Sequence, residues 1–185
     1  IVTIDDAVDV LQEEATEDIE KMAAITPSDR PYLKTNAFDI YKHRIPWPLL
    51  LMISATFTGM IISKFESALA ACVTLTAYIP MLMDTGGNSG SQASVTVIRG
   101  LSLNEIEFRD IFRVMGKELL VSILCGITLA VCNFAKLMLL DGVGLMVSLV
   151  VCLTLAVTVV AAKFIGCTLP MLAKKIDFDP AVMAS

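Results

Sequence analysis

The sequence predicts an all-α, polytopic helical membrane protein, and three observations carry that expectation. Of its 185 residues, 56% are apolar and only 18% are charged, whereas a soluble domain carries about a quarter charged residues. Mean hydropathy is +0.74. Four long apolar stretches, at about 45–63, 67–98, 114–140 and 145–172, each suffice to cross a hydrocarbon core of roughly 30 Å at about 1.5 Å per residue. The expected surroundings are therefore a lipid bilayer. A soluble globule and a disordered tail are argued against by this composition, and a nucleic-acid partner by a pI near 4.8.

An amphipathic helix is expected first, over residues 3–24. Thr3 is a candidate N-cap with Asp6 three residues on, and acids crowd the first turns, where the helix dipole favours them. Ala7, Val8, Leu11, Ala15, Ile19 and Met22 recur at helical spacing. Thr26-Pro27-Ser28-Asp29-Arg30-Pro31 ends the pattern, and a short helical stretch from about Thr35 to Arg44 leads to Pro46-Trp47-Pro48. The first apolar span, 45–63, lies between Arg44 and Lys64, with Trp47 placed as an interfacial anchor. The second, 67–98, holds Asp84 as its only charge and is expected to be interrupted just after it. The third carries Lys117 and Glu118 near one end and Lys136 near the other; the fourth carries Lys163, with Pro170 near its exit. Lys136 and Lys163 are read as snorkelling or paired.

Charge is divided sharply along the chain. Residues 1–29 hold nine acids and one basic residue, Lys21, for a net −8, while the remainder carries +3. Lys42, Arg44, Arg99, Arg109, Arg113, Lys117, Lys174 and Lys175 flank alternate ends of the spans. The positive-inside rule then places the acidic arm, the 99–113 connection and the C-terminal residues in the cytoplasm. Cys72, Cys125, Cys132, Cys152 and Cys167 all lie in apolar stretches without Cys-x-x-Cys spacing, so they read as small buried hydrophobes rather than zinc ligands. No charged segment followed by an apolar core opens the sequence, so no signal peptide is expected.

The run Asp84-Thr85-Gly86-Gly87-Asn88-Ser89-Gly90-Ser91-Gln92 stands apart from its apolar surroundings. Backbone released from helical bonding at membrane depth is tolerated only against protein or a water-filled cavity. Asp84, Asn88 and Gln92 supply side-chain oxygen at i, i+4 and i+8, on one face of a helix. Hard divalent cations take such oxygens, and Mg²⁺ keeps several of its waters while binding few carboxylates. Close helix packing through small residues is the competing explanation. A phosphate loop is disfavoured, because no Lys-Ser/Thr follows and no strand precedes.

These residues resemble the MgtE family of magnesium channels. Pro80, the run Thr85-Gly86-Gly87-Asn88-Ser89-Gly90-Ser91-Gln92 and Arg99-Gly100-Leu101 are similar to that family's second-span signature. Glu13-Glu14-Ala15-Thr16-Glu17-Asp18 resembles the end of its second cytoplasmic CBS domain running into the connecting, or plug, helix. Leu169-Pro170 and Asp179-Pro180-Ala181 resemble its fourth-span exit. The resemblance implies that residues 1–44 are the end of the CBS region and the plug helix, and that 45–185 are transmembrane domain. It implies a homodimer in the plasma (inner) membrane, with the ion path at the subunit interface. Gly87, Asn88 and Ser91 would border that path, within a pore-lining set of Asp84, Gly86, Gly87, Asn88, Ser91 and Gln92. Asp6, Asp9, Glu14, Glu17 and Asp18 would sense cytoplasmic Mg²⁺, with Asp179 facing them. The family also has a fifth span bearing a selectivity aspartate, expected beyond Asp179-Pro180-Ala181, so four of five spans are visible and the sequence reads as part of a longer chain.

The function expected is a Mg²⁺-selective uptake channel, not an enzyme, gated shut by cytoplasmic Mg²⁺ on the acidic arm. Mn²⁺ is a possible substitute, since octahedral oxygen ligands suit several divalent ions. The alternative is a secondary carrier exchanging a divalent cation for Na⁺ or H⁺ through a broken helix. A membrane hydrolase using Asp84 lacks an evident second acid or base. A scaffold of small packing residues would make Asn88 and Asp84 matter for assembly alone.

Overall fold

Ten helical segments account for the regular structure of a computed structural model that describes residues 3–27, 32–176 and 179–181. No strand occurs among the described residues. Helix α1 spans Ile4–Met22 and opens as the sequence expects. The Thr3 N–H and hydroxyl donate to Asp6 Oδ2 at 2.8 and 2.7 Å, and the Asp6 N–H returns to Thr3 Oγ1 at 3.3 Å. This closed capping box satisfies donors that the first turn leaves unpaired. Of the break expected after α1, Ser28–Pro31 lie outside the described residues. Thr26 is tied forward: its N–H donates to the His43 carbonyl at 3.0 Å, and its own carbonyl lies 2.9 Å from His43 Nδ1.

A short 3₁₀ turn at Tyr32–Lys34 precedes α2 (Ala37–Arg44), which leads into α3 (Pro46–Lys64). Pro46 sits at the first helical position, where its missing N–H has no partner to lose. None of the residues of α3 is buried. Its apolar side chains therefore face outward on all sides, as a helix immersed in lipid does.

The second apolar stretch departs from its expected form. Residues 67–98 are not one span interrupted after Asp84. The chain breaks earlier, into α4 (Glu66–Ala71) and α5 (Val73–Thr76), and then runs as one unbroken helix, α6 (Ile79–Ser102), straight through the glycine run. Pro80 in the first turn of α6 marks the true start. Helix α6 ends at Ser102, where Asn104 takes a left-handed φ of 55° and the Glu105 N–H caps the Gly100 carbonyl at 2.9 Å. A 3₁₀ turn at Phe108–Asp110 starts α7 (Ile111–Leu139), and α8 (Leu145–Lys175) continues through Pro170.

Among the described residues three helical segments, Ala37–Lys64, Phe108–Leu139 and Leu145–Lys175, are long and apolar enough to cross a membrane. The 24-residue α6 has the length but carries a polar face. Helix α8 is the centre of the bundle, packed along both α6 and α7. Ala93, Val97, Leu101, Cys167 and Met171 form a core cluster at one end; Tyr78, Leu137, Val151 and Cys152 form another at the opposite end. Between them α6 and α8 meet through small residues. An added Cβ on Gly90 would stand 3.2 Å from the Ala162 carbonyl oxygen, and one on Gly166 would overlap the Gly90 carbonyl. Lipid supplies no hydrophobic drive for helix association, so this backbone approach carries the packing.

The ends of the bundle are secured differently. The basic end of α8 lies beside the α7 entry, with Lys175 Nζ 4.6 Å from the centre of the Phe108 ring. At the other end Asp141 accepts from the Tyr78 hydroxyl at 3.0 Å and from Lys136 Nζ at 2.7 Å. Lys136 is thus the paired residue that the sequence suggests. The ammonium holds the Asp141 carboxyl below the usual carboxylate range. All five cysteines are free, with Cys152 and Cys167 buried.

Candidate functional site

Helix periodicity divides α6 into two faces. Gly86, Ser89, Ala93, Ser94, Val97 and Leu101 are buried, and Gly86 closes on Thr158, whose Cγ2 would lie 2.8 Å from an added Cβ. Asp84, Gly87, Asn88, Ser91, Gln92, Val95, Thr96 and Arg99 are exposed. These recur at three- and four-residue intervals, so they form one stripe along the helix. Five of the six residues expected to line a path (Asp84, Gly87, Asn88, Ser91 and Gln92) share this stripe. Gly86 is on the packing face.

Local hydrogen bonds explain why the helix survives its polar sequence. Asn88 Nδ2 donates to the Asp84 carbonyl at 3.0 Å and to Asp84 Oδ1 at 3.1 Å. Thr96 Oγ1 donates to the Gln92 carbonyl at 2.8 Å. With its NH₂ committed to Asp84, the Asn88 amide is held in one orientation and its oxygen is its remaining acceptor. No atom lies within 4 Å of the place where a Gly87 Cβ would stand. The stripe therefore offers a carboxylate, an oriented amide oxygen and an open patch of backbone.

Two cavities flank it. One of about 560 Å³ is lined by Asn88, Ser91, Gln92, Thr96, Glu118 and Lys163, among others. The second, of about 540 Å³, takes in Asp84, Thr85, Asn88, Gln92, Cys125, Thr128 and Lys163. Another of about 540 Å³ between α7 and α8 is apolar, with Ile123, Val157 and Phe164 in its wall, and offers no polar side chain. Glu118 and Lys163 are the residues that reading along the sequence does not connect to the stripe. Lys163 is only 5% exposed and its side chain opens onto both polar cavities rather than snorkelling. A signal was available: it stands twelve residues, about 18 Å of helix, before the nearer end of α8.

A second polar cluster joins α1 to the segment after α8. Lys21 Nζ lies 2.6 Å from Glu17 Oε1 and 2.6 Å from Asp179 Oδ2. The Ala181 N–H donates to Asp179 Oδ1 at 2.9 Å, and Met22 packs on Ile98 and Ala181. Hydrogen bonds from Lys21, to Asp179 and then to Glu17, hold the ammonium well above the usual lysine range. Burial pushes the Asp179 carboxyl up, but the Lys21 ammonium and the Ala181 N–H together take it below its ordinary value.

Of the expected sensing acids, then, Glu17 and Asp179 are brought together around Lys21. Asp6 is committed to the cap, whose Thr3 donors hold its carboxyl below the ordinary range. Asp9 and Glu14 are exposed along α1, and Asp18 is half-exposed. Among the described residues no three His, Cys, Asp or Glu side chains converge as a metal-holding group. Two hard carboxylates sharing one cationic partner are nonetheless a donor pair of the kind a divalent ion accepts.

Apolar spans around a helix that carries a carboxylate and amides on one exposed stripe are the pattern of a multi-pass membrane protein with a polar site. Comparison with known proteins agrees. The family model MgtE, described as a divalent cation transporter, matches residues 79–185. The chain belongs to that family. It is 37% identical over its whole length to a magnesium transporter MgtE of Thermus thermophilus, covering 41% of that protein. It is 42% identical over 118 residues to one of Bacillus subtilis, covering 64% of this chain and 26% of the relative. With one of Enterococcus faecalis it shares 28% identity over 182 residues, 98% of this chain and 39% of the relative. The chain thus spans less than half the length of these relatives.

Proposed function

We propose that this chain is the membrane portion of a Mg²⁺-selective channel for magnesium uptake, gated shut by cytoplasmic Mg²⁺. The observation that carries the proposal is the exposed stripe of Asp84, Asn88 and Gln92 on an unbroken helix, in a family of divalent cation transporters. Mg²⁺ gives up its waters reluctantly, so outer-shell contact with an oriented amide oxygen and exposed backbone at Gly87 suits it better than a tight cage. Mn²⁺ would pass by the same chemistry. Asp84 has two tasks in this reading: it supplies negative charge and fixes the rotamer of Asn88.

The protein acts as a homodimer in the inner membrane, α1 being the plug helix that follows the CBS region on the cytoplasmic side. Cytoplasmic Mg²⁺ bound between the arm acids, Glu17 and Asp18 foremost, and Asp179 draws α1 onto the membrane domain. When the ion leaves, the acids repel one another and the contact loosens. The break before α6 gives one point in favour of a carrier, since carriers use discontinuous helices.

Reconstitution of the intact protein in liposomes distinguishes the two. Channel function predicts Mg²⁺ entry with no Na⁺ or H⁺ gradient, and Asn88→Ala is expected to reduce that entry at least tenfold without changing the elution profile. Entry that requires a counter-ion gradient favours the carrier. Unaltered flux in Asn88→Ala removes the stripe from the path.

A further inference from the structure

We propose that Lys163 is a tethered cation built into the α6 crevice, where it weakens the hold on the passing ion and sets how readily that ion leaves. The inference rests on the channel reading of the stripe and concerns a residue which that reading does not use.

Lys163 is 5% exposed, deep within α8. Among the described residues no buried side-chain nitrogen or oxygen lacks a partner. No hydrogen bond or ion pair among the described residues engages the Lys163 ammonium, so its accessible surface is in the cavities that its side chain lines. An ionisable group at that depth is costly, and one that neither reaches a headgroup nor pairs with a neighbour faces water or cargo instead.

The two cavities give it company of opposite sign. Glu118 lines one, Asp84 the other, and Asn88 and Gln92 belong to both. Without Lys163 the crevice would present two carboxylates to a dication in surroundings less polarisable than bulk water, and the ion would be held too firmly to move on. Conduction needs binding favourable enough to enter and weak enough to leave. Among the described residues, one fixed ammonium offsets one of those two carboxylates and adds a repulsion that a divalent ion feels twice as strongly as a monovalent one.

The intact protein in liposomes, with Mg²⁺ entry measured against external Mg²⁺, provides the test. Lys163→Gln is expected to lower the half-saturating Mg²⁺ concentration about five- to tenfold and also to lower the maximal rate, since the repulsion acts over several ångströms of partly hydrated space. Lys163→Arg keeps the wild-type values. Glu118→Gln raises the half-saturating concentration, and it carries the test if Lys163→Gln fails to fold. Inhibition by Na⁺ shifts in Lys163→Gln by only about the square root of the Mg²⁺ factor, because Coulomb energy scales with ionic charge. Binding of Mn²⁺ to solubilised protein, followed by loss of the free-ion EPR signal, tightens in parallel in Lys163→Gln. A wild-type protein that admits no Mg²⁺ overturns the channel reading itself. Wild-type entry together with unchanged half-saturation in Lys163→Gln, or in Glu118→Gln, overturns the tethered cation alone.

Discussion

Replacing Gly166 by alanine is expected to destabilise the bundle by about 2 kcal/mol or more, the scale of overpacking a close contact. The added Cβ would overlap the Gly90 carbonyl oxygen, and its next neighbours are the Gly90 carbonyl carbon at 3.0 Å and Cα at 3.1 Å. All three are backbone atoms of a helix, so none can rotate aside. Helices α6 and α8 must separate, and separation opens the adjoining cluster in which Ala93, Val97 and Leu101 pack on Cys167 and Met171. Gly87→Ala is the control. It is in the same helix as Gly90 but has open space around it, and alanine is favoured over glycine in a helix interior by up to about 1 kcal/mol. Its thermal midpoint should equal or exceed wild type, so any flux it loses is attributable to the path. Thermal melts followed by size-exclusion elution in detergent check both; a Gly166→Ala midpoint equal to wild type rules out the close crossing.

That contrast also shows why the sequence was legible for most elements and for the polar stripe of α6, but not for what packs beside it. Apolar length and the Thr3–Asp6 spacing act locally: the first located α3, α7 and α8 to within a few residues, and the second located the start of α1. The glycine run misled because, in water, three glycines and several small polar residues within eight positions unwind a helix. Here the buried face of α6 is sealed against α8, and on the open face Asn88 and Thr96 return their own donors to the backbone. Glycine there serves helix approach on one side, at Gly86 and Gly90, and open backbone on the other, at Gly87. The real breaks, at Cys72 and at residues 77–78, were announced only by Pro80, which marks a helix start as readily as a kink. The α7 and α8 walls of the crevice were not legible. Glu118 and Lys163 come from different helices, and only the packing of α7 and α8 against α6 brings them to the same walls. Family resemblance placed Asp179 opposite the arm, but spacing cannot show that Lys21, 158 residues away, would stand between them.

Neutralising Glu17, Asp18 and Asp179 together is expected to raise the internal Mg²⁺ concentration needed to shut the intact protein, on the order of tenfold, the loss expected from removing ligand charge at one divalent site. Lys21 already holds Glu17 and Asp179 at 2.6 Å each, so the ion must take over carboxylates that a lysine occupies. Lys21→Met should therefore shift inhibition the other way, to lower Mg²⁺. Acid should matter little until the pH is low. The folded-state pKa of Asp179 is depressed, so its bridge stabilises the contact above the ordinary carboxylate value near 3.9 and is lost as pH falls through the lower, folded value. Lys21 is raised, so its share persists at any pH below the usual lysine range and fades only above it. Between about pH 5 and 9 the bridge is constant, and titration of these two groups gives inhibition no slope there. Flux at fixed internal Mg²⁺ across that range, in wild type and in the triple variant, measures both effects. A triple variant that closes at the wild-type Mg²⁺ concentration removes this junction from gating, and opposite shifts for Lys21→Met and the triple variant assign the closing ion to the space that Lys21 fills.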